Sequence, residues 1–161
     1  MKVNPSIERI REVFEYNPEM GTLRWKITNS PRAVAGSIAG TRMKNGYLGV
    51  GLDKADHYVH RLAWALTYNR WPFQIDHINN NKADNRLCNL READFSKNAV
   101  NRPIRRDNKS GETGVHFDKS RNQWKVDVGH KTHGRFNSKK EAIKKRRKMA
   151  KLAYGEFCYH S

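Results

Sequence analysis

Apolar positions in this chain fall in short runs whose period alternates between helix and strand. In "NPSIERIREVFEY", Ile7, Ile10, Val13 and Phe14 share one helical face, Pro5 suits the first turn and Asn4 is a candidate N-cap. "GTLRWKI" alternates, with Leu23, Trp25 and Ile27 on one side, and "GYLGVGL" sets Tyr47 and further apolar residues among glycines ahead of the turn-like "DKAD". Both predict strands of a small sheet. A second helix is expected in "YVHRLAWALTYN", where Val59, Leu62, Ala63 and Leu66 recur at helical spacing and Pro72 lies past the end. His60 and Arg61 sit on it, with a structural or phosphate-contacting role favoured over catalysis.

Beyond residue 101 the pattern changes. "NRPIRRDNKSGE" has no apolar period and reads as a basic linker. "TGVHFDKSRNQWKVDVGHKTHGRF" then holds three alternating runs separated by "KSRN" and "GHKTHG", which predicts a three-stranded antiparallel sheet. A helix follows, opened by an S-x-x-E capping box at Ser138 and Glu141. Ala142, Ile143, Ala150 and Ala153 form its packed side, beneath a "KKRRK" run at 144–148 that reads as a solvated face. The fold class expected is α+β.

Composition narrows the partner. The 161 residues carry 32 Lys plus Arg against 16 Asp plus Glu, a net charge of +16, and 37 % hydrophobic residues support only modest cores. The charge is uneven: residues 1–101 hold 15 basic and 10 acidic groups, residues 102–161 hold 17 and 6. A polyanion is the first partner to consider, and two parts with different duties are implied. Cys88 and Cys158 are too few for a disulfide framework or a four-thiolate zinc site, so free thiols and a reducing cytoplasm are expected. No apolar run approaches the ~18 residues of a membrane span, and no signal-peptide pattern opens the chain.

The stretch "IDHINNNKADNRLCNLREADFSKN", residues 75–98, has no apolar stripe that would explain it as packing. It does offer a set suited to phosphodiester hydrolysis. A His near neutral pKa can take a proton from water, and a carboxylate with an amide oxygen can hold Mg²⁺. Asp76, His77 and Asn98 supply that set. One constraint is geometric: neighbours on a strand point to opposite sides, so Asp76 and His77 share a site only if the strand ends or twists there, or if they flank metal and water separately.

The ordered residues of "DHINNNKADNRLCNLR" and "SKN" resemble the HNH endonucleases, the ββα-metal nucleases, in the homing-type branch that ends in Asn. His77 takes the first position, Asn89 the second, twelve residues on, and Asn98 the third, nine further. Asn85, Arg86, Leu90 and Arg91 stand in place around them. The resemblance implies that His77 is the general base, that Asp76 and Asn98 hold one divalent cation, and that Asn89 ties the loop to backbone and so orients His77. With Asn in the last position, Mg²⁺ or Mn²⁺ is implied and no structural zinc is expected. The bland alternative is an Asn-rich loop of Asx turns with His77 merely hydrogen-bonded. "GTLRW", "GYLGV" and "HRLAWAL" also look like the region preceding the site in phage-borne members, whose setting is the host cytoplasm.

Residues 110–157 resemble the Apetala-type DNA-binding domain of ethylene-response factors, in which a three-stranded sheet enters the major groove. The resemblance implies groove-facing positions at His116, Lys125 and Asp127, with His130 and Thr132 beside them and Lys131 in the same turn. Lys119 and Arg121 are expected on phosphates, and Arg91, Arg102, Arg105 and Arg106 are expected to bind DNA. Trp124, Val126 and Val128 should face the helix.

The expected organisation is thus an HNH module at 1–101 (helix and small sheet to 57, ββα-metal core from about 58), a basic linker at 102–110 and an Apetala-like domain at 111–161. Double-stranded DNA is the expected partner, with no membrane and no obligate protein partner. Two other readings stay open: a non-catalytic DNA-binding regulator that uses a nuclease fold as a clamp, and an RNA-binding accessory protein.

Overall fold

In the computed structural model the chain divides into two units, residues 1–94 and 95–161. The structure describes residues 4–94 and 104–155. No helix among the described residues is long and apolar enough to cross a membrane.

In the first unit, helix α1 (Ile7–Val13) is capped by Ser6 rather than Asn4. The Ser6 hydroxyl accepts the Arg9 N–H at 3.1 Å, satisfying one of the unpaired amides of the first turn. The chain passes directly into β1 (Phe14–Asn17), which pairs antiparallel with β2 (Thr22–Trp25). Ile10, Val13, Phe14, Leu23 and Trp25 are buried together, whereas Ile27 lies beyond the strand and is exposed. A second sheet has the order β3 (Thr41–Arg42), β4 (Leu48–Leu52), β5 (Ala55–Tyr58). Asp53 and Lys54 make its two-residue hairpin turn, both with positive φ.

Helix α2 (Val59–Tyr68) follows without a linker and ends where Asn69 turns left-handed, φ 55°. Of the face the spacing predicts, Val59 and Leu62 join the α1–β1–β2 core with Leu66 partly buried against it, and Ala65, outside that spacing, is buried there too. Ala63 and Trp64 pack on Ile75 and Leu90. Those two residues belong to β6 (Ile75–His77) and β7 (Leu90–Glu92), an antiparallel pair with Asp76 opposite Arg91 and His77 opposite Leu90. Arg61 is structural: its guanidinium donates to the carbonyls of Pro72 and Phe73, fixing the approach to β6. β6 and β7 thus form one antiparallel pair, and the helix expected after them falls at residues outside those described.

In the second unit, β8 (Val115–Asp118), β9 (Gln123–Val128) and β10 (Lys131–Phe136) form an antiparallel sheet in the order β10-β9-β8. The second turn is shorter than the sequence suggests. Only Gly129 and His130 make it, and Lys131–Gly134 belong to the strand, whose pairing shifts register between Thr132 and Arg135. Helix α3 (Lys139–Tyr154) packs on the sheet through Ala142 on Val115 and Val126 and Ala150 on Val128.

Three helix expectations need correction. Ser138 is the N-cap, but its side chain makes no capping hydrogen bond. Ala153 is exposed. Arg146, within the supposedly solvated basic run, is buried, because it lies one turn from both Ala142 and Ala150 and finds a carboxylate there. Glu112, itself 4 % exposed, binds Arg146 at 2.7 Å and Arg147 at 2.8 Å. Asn108 and Ser110 hydrogen-bond around Glu112, so this part of the basic segment is built into the second unit.

Removing one partner of a buried pair leaves an uncompensated charge, at a cost of about 3–5 kcal/mol. Glu112→Ala is expected to lower the stability of the second unit by about that amount, read as a shifted unfolding transition in the full chain, whereas Lys144→Ala on the exposed face leaves it within about 0.5 kcal/mol.

Candidate active site

The residues of interest gather around β6, β7 and the polar loop between them. β6 is only three residues long, and all three are buried. Alternation sends Ile75 and His77 to one side, where Ile75 meets Ala63 and Trp64 and the His77 ring lies 5.1 Å from His60, centroid to centroid. Asp76 points to the other side, where Arg91 Nε and Nη2 both donate to its Oδ2 at 2.8 and 2.7 Å. The carboxylate and the imidazole thus occupy opposite faces of one strand, the constraint set by the sequence. Arg91, expected to bind DNA, has its side chain largely buried against Asp76.

The loop is held almost entirely by its own Asn and Asp side chains. Asn89 Oδ1 accepts the Asn79 N–H at 3.0 Å, and Asn89 Nδ2 donates to the Asp84 carbonyl at 2.8 Å, so one buried amide clamps both arms. Asn79 and Asn81 close Asx turns onto the N–H groups of Asn81 and Ala83. Asp84 takes the Arg86 guanidinium and the Asn79 amide, and Arg86 holds its carboxyl down at about 2. The β1–β2 turn buttresses the loop from below. Leu87 N–H donates to the Pro18 carbonyl at 2.9 Å, and the Tyr16 hydroxyl to the Asn85 carbonyl at 2.7 Å. Gly21, φ +67°, passes so close that a Cβ there would lie 2.4 Å from Arg86 N.

Around His77 stand Tyr47, Tyr58 and His60. Tyr47 lies 5.8 Å from His77 and 5.0 Å from His60, and Tyr58 stacks on His60 at 5.3 Å. Lys82 covers the Tyr47 ring and donates to the Asn45 carbonyl, joining the loop to the β3–β4 turn. His77 Nε2 lies 3.1 Å from Asn85 Oδ1, and Asn85 is 1 % exposed. Burial pushes His77 below its usual pKa, against the opposing pull of Asn85 and Asp76. Burial drives His60 further, to about 3. Asn85 and the two tyrosines carry no signal of their own in the sequence. Asn85 lies inside the matched pattern but looks like one more loop Asn, Tyr58 reaches the site through the β4–β5 pairing, and Tyr47 immediately precedes β4.

Asn98 and Arg102 lie outside the described residues. Arg105 and Arg106 are exposed, Arg105 pairing with Asp107 at 3.2 Å. Among the described residues no cluster of three or more His, Cys, Asp or Glu is arranged to hold a metal ion. Mg²⁺ requires less, since it keeps several waters and needs one or two carboxylates. Asp76, a buried hard-oxygen donor, fits that demand.

In the second unit, the β8 and β9 register puts His116 beside Lys125, and the β9 and β10 register puts Asp127 beside Thr132. Asp127 accepts from Thr132 at 2.7 Å and pairs with Lys125 at 3.0 Å, with His116 at 3.9 Å. These residues and His130 line a concavity of about 670 Å³. Lys119, Arg121 and Lys131 are exposed. Arg135, not anticipated, pairs with Asp118 at 3.4 Å because the register shift in β10 turns it onto this face.

Residues 57–100 match the HNH endonuclease family model. Neither a curated protein nor a solved structure matches the chain.

His60 is buried at 6 % exposure and neutral when folded, whereas its unfolded pKa is near the ordinary ~6.5. Above that pH neither state holds the proton. Between about 6.5 and 3 the unfolded state binds one more, so stability falls as pH drops, approaching ~1.4 kcal/mol per pH unit. Urea unfolding of the first unit is expected to steepen in pH dependence below about pH 6.5. His60→Phe should flatten the curve there.

Proposed function

We propose that the first unit is an HNH-type DNA endonuclease that hydrolyses phosphodiester bonds, and that the second unit selects the DNA site, as in a homing-type enzyme. His77 acts as general base toward water, Asn89 holds the loop that carries it, and Asp76 with Asn98 would hold one Mg²⁺ or Mn²⁺. The observation that carries this reading is the state of His77. Within the segment matching the HNH endonuclease family, burial keeps this imidazole below its usual pKa, and one ring nitrogen is held by a buried amide. A base must be unprotonated and aimed before it meets its proton, and the lowered pKa and the contact with Asn85 support that reading of His77.

The cation, when bound, supplies electrophilic stabilisation of the phosphoryl and leaving oxygens. Asp76 contributes a carboxylate already desolvated and compensated by Arg91. Lys82, exposed on the loop, supplies positive charge for a phosphate next to His77, whereas Arg86 is engaged by Asp84. In the second unit, Lys125, Asp127, His116, Lys131 and Thr132 form the face proposed to meet base edges, with Lys119 and Arg121 on phosphates. A non-catalytic clamp is the second reading, and the specific observation in its favour is that Arg91 already occupies Asp76.

The test is nicking of supercoiled plasmid with Mg²⁺ and with EDTA. Metal-dependent nicking is expected, with His77→Ala lowering the rate by at least ~10² while plasmid binding stays near normal. Asp76→Ala is expected to lose activity together with metal affinity in titration. A His77→Ala protein that nicks at the wild-type rate would leave the clamp as the better reading. For the second unit, log K for duplex DNA is expected to fall with log salt by about 0.9 per phosphate neutralised. Lys119→Ala should reduce that slope by about one contact.

A further inference from the structure

We infer that Asn85 is a positioning residue for His77, fixing the imidazole in the tautomer that carries its proton on Nε2 and so reserving Nδ1 as the nitrogen that accepts the proton from water. This rests on the reading of His77 as general base.

The geometry behind it is local and asymmetric. Asn85 Oδ1 lies 3.1 Å from His77 Nε2, and a carbonyl oxygen can only accept, so the ring nitrogen donates. A neutral imidazole has one N–H, and placing it on Nε2 puts the lone pair on Nδ1. The reverse amide orientation would put an NH₂ against Nε2 and the ring proton on Nδ1. That arrangement fails once the ring becomes a base, because imidazolium carries N–H on both nitrogens, and only an acceptor can stay bonded to Nε2 through the step.

Asn85 is poorly explained as packing. It is 1 % exposed, among the fully buried side chains of the unit, and its Nδ2 has no hydrogen-bond partner. Buried polar atoms are normally satisfied, so an amide retained with half its capacity unused points to a directional demand on the other half. That demand is His77. The backbone at Asn85 is held from outside the loop: the Tyr16 hydroxyl donates to its carbonyl, and Gly21 packs against its carbonyl carbon. The acceptor is therefore fixed by the β1–β2 hairpin before any substrate arrives. His60 and Tyr47, with ring centroids 5.1 and 5.8 Å from His77, flank the ring and limit its rotation away from that bond.

Imidazole ¹⁵N shifts of the full chain at neutral pH, with the His77 signals assigned by their loss in His77→Gln, test the tautomer without any need for activity. Wild type is expected to show protonated Nε2 and unprotonated Nδ1. Asn85→Ala should mix the tautomers, and Asn85→Asp, which keeps an acceptor and no donor, should retain the wild-type pattern. In Mg²⁺-dependent plasmid nicking, Asn85→Ala should lower kcat by ~10-fold or more with KM little changed, and Asn85→Asp should recover part of the loss. Protonated Nδ1 in wild type overturns the proposal, whichever variants fold. So does an Asn85→Ala protein that keeps the wild-type tautomer and shows only a lower melting temperature. A wild type that fails to nick sinks the nuclease reading instead, and with it the role of Nδ1 as base, while the ¹⁵N spectrum still decides whether Asn85 sets the tautomer.

Discussion

The first unit depends on fixing a twelve-residue polar loop, between His77 and Leu90, without a hydrophobic core beneath it. Ordering backbone costs about 1–2 kcal/mol per residue, and this loop has few apolar side chains whose burial could offset that. Hydrogen bonding does the work instead. Asn79, Asn81, Asp84 and Asn89 each satisfy backbone or one another, so the polar atoms that would otherwise demand water become the framework. The dependence is two-way. Asn89 closes the loop, and the β1–β2 turn holds it through Pro18, Tyr16 and Gly21. The small N-terminal hairpin, remote in sequence, is thereby part of the site's foundation.

A short strand with two buried, oppositely directed polar side chains is the second consequence. Asp76 can be buried because Arg91, opposite it in register, compensates its charge. His77 can be buried because it is neutral and bonded to Asn85. Each solution is local to its own face, so the strand separates the anionic group from the imidazole. Under the proposed reading, cation binding and proton abstraction would fall on opposite faces of this one strand.

Legibility in the sequence followed the kind of interaction. Helices α1 and α2 and the strands around Leu23, Val50 and Val126 are amphipathic, and period alone locates them. Asp76, His77 and Asn89 stand out as candidates because their spacing matches a family pattern, and residues 57–100 match that family's model. What stayed hidden was set by pairing across the chain. Ser6 rather than Asn4 caps α1, since capping depends on dihedral angles that spacing does not encode. Arg146 reads as solvated until Glu112, thirty-four residues earlier, is placed beside it. Asn85 stands in the family pattern, but what it does there shows only when Oδ1 is seen against Nε2.

The same logic explains why the sheet of the second unit, though it belongs to the more basic part of the chain, presents few unopposed charges. Asp127 engages Lys125 and Thr132, and Asp118 engages Arg135 and lies near Arg121. Cations already paired with carboxylates attract phosphate weakly, and the unpaired lysines lie on the turns and on helix α3. Under the proposed reading, general attraction comes from that periphery, which no sequence preference need constrain. The paired face is left to respond to base edges. On that reading, its carboxylates would disfavour a groove edge that offers them only acceptors, and the Lys125–Asp127 pair would open where a donor and an acceptor arrive together. The proposed reading thus places discrimination in the cost of breaking the face's own ion pairs, a cost that a correctly matched base pair would offset and a mismatched one would not.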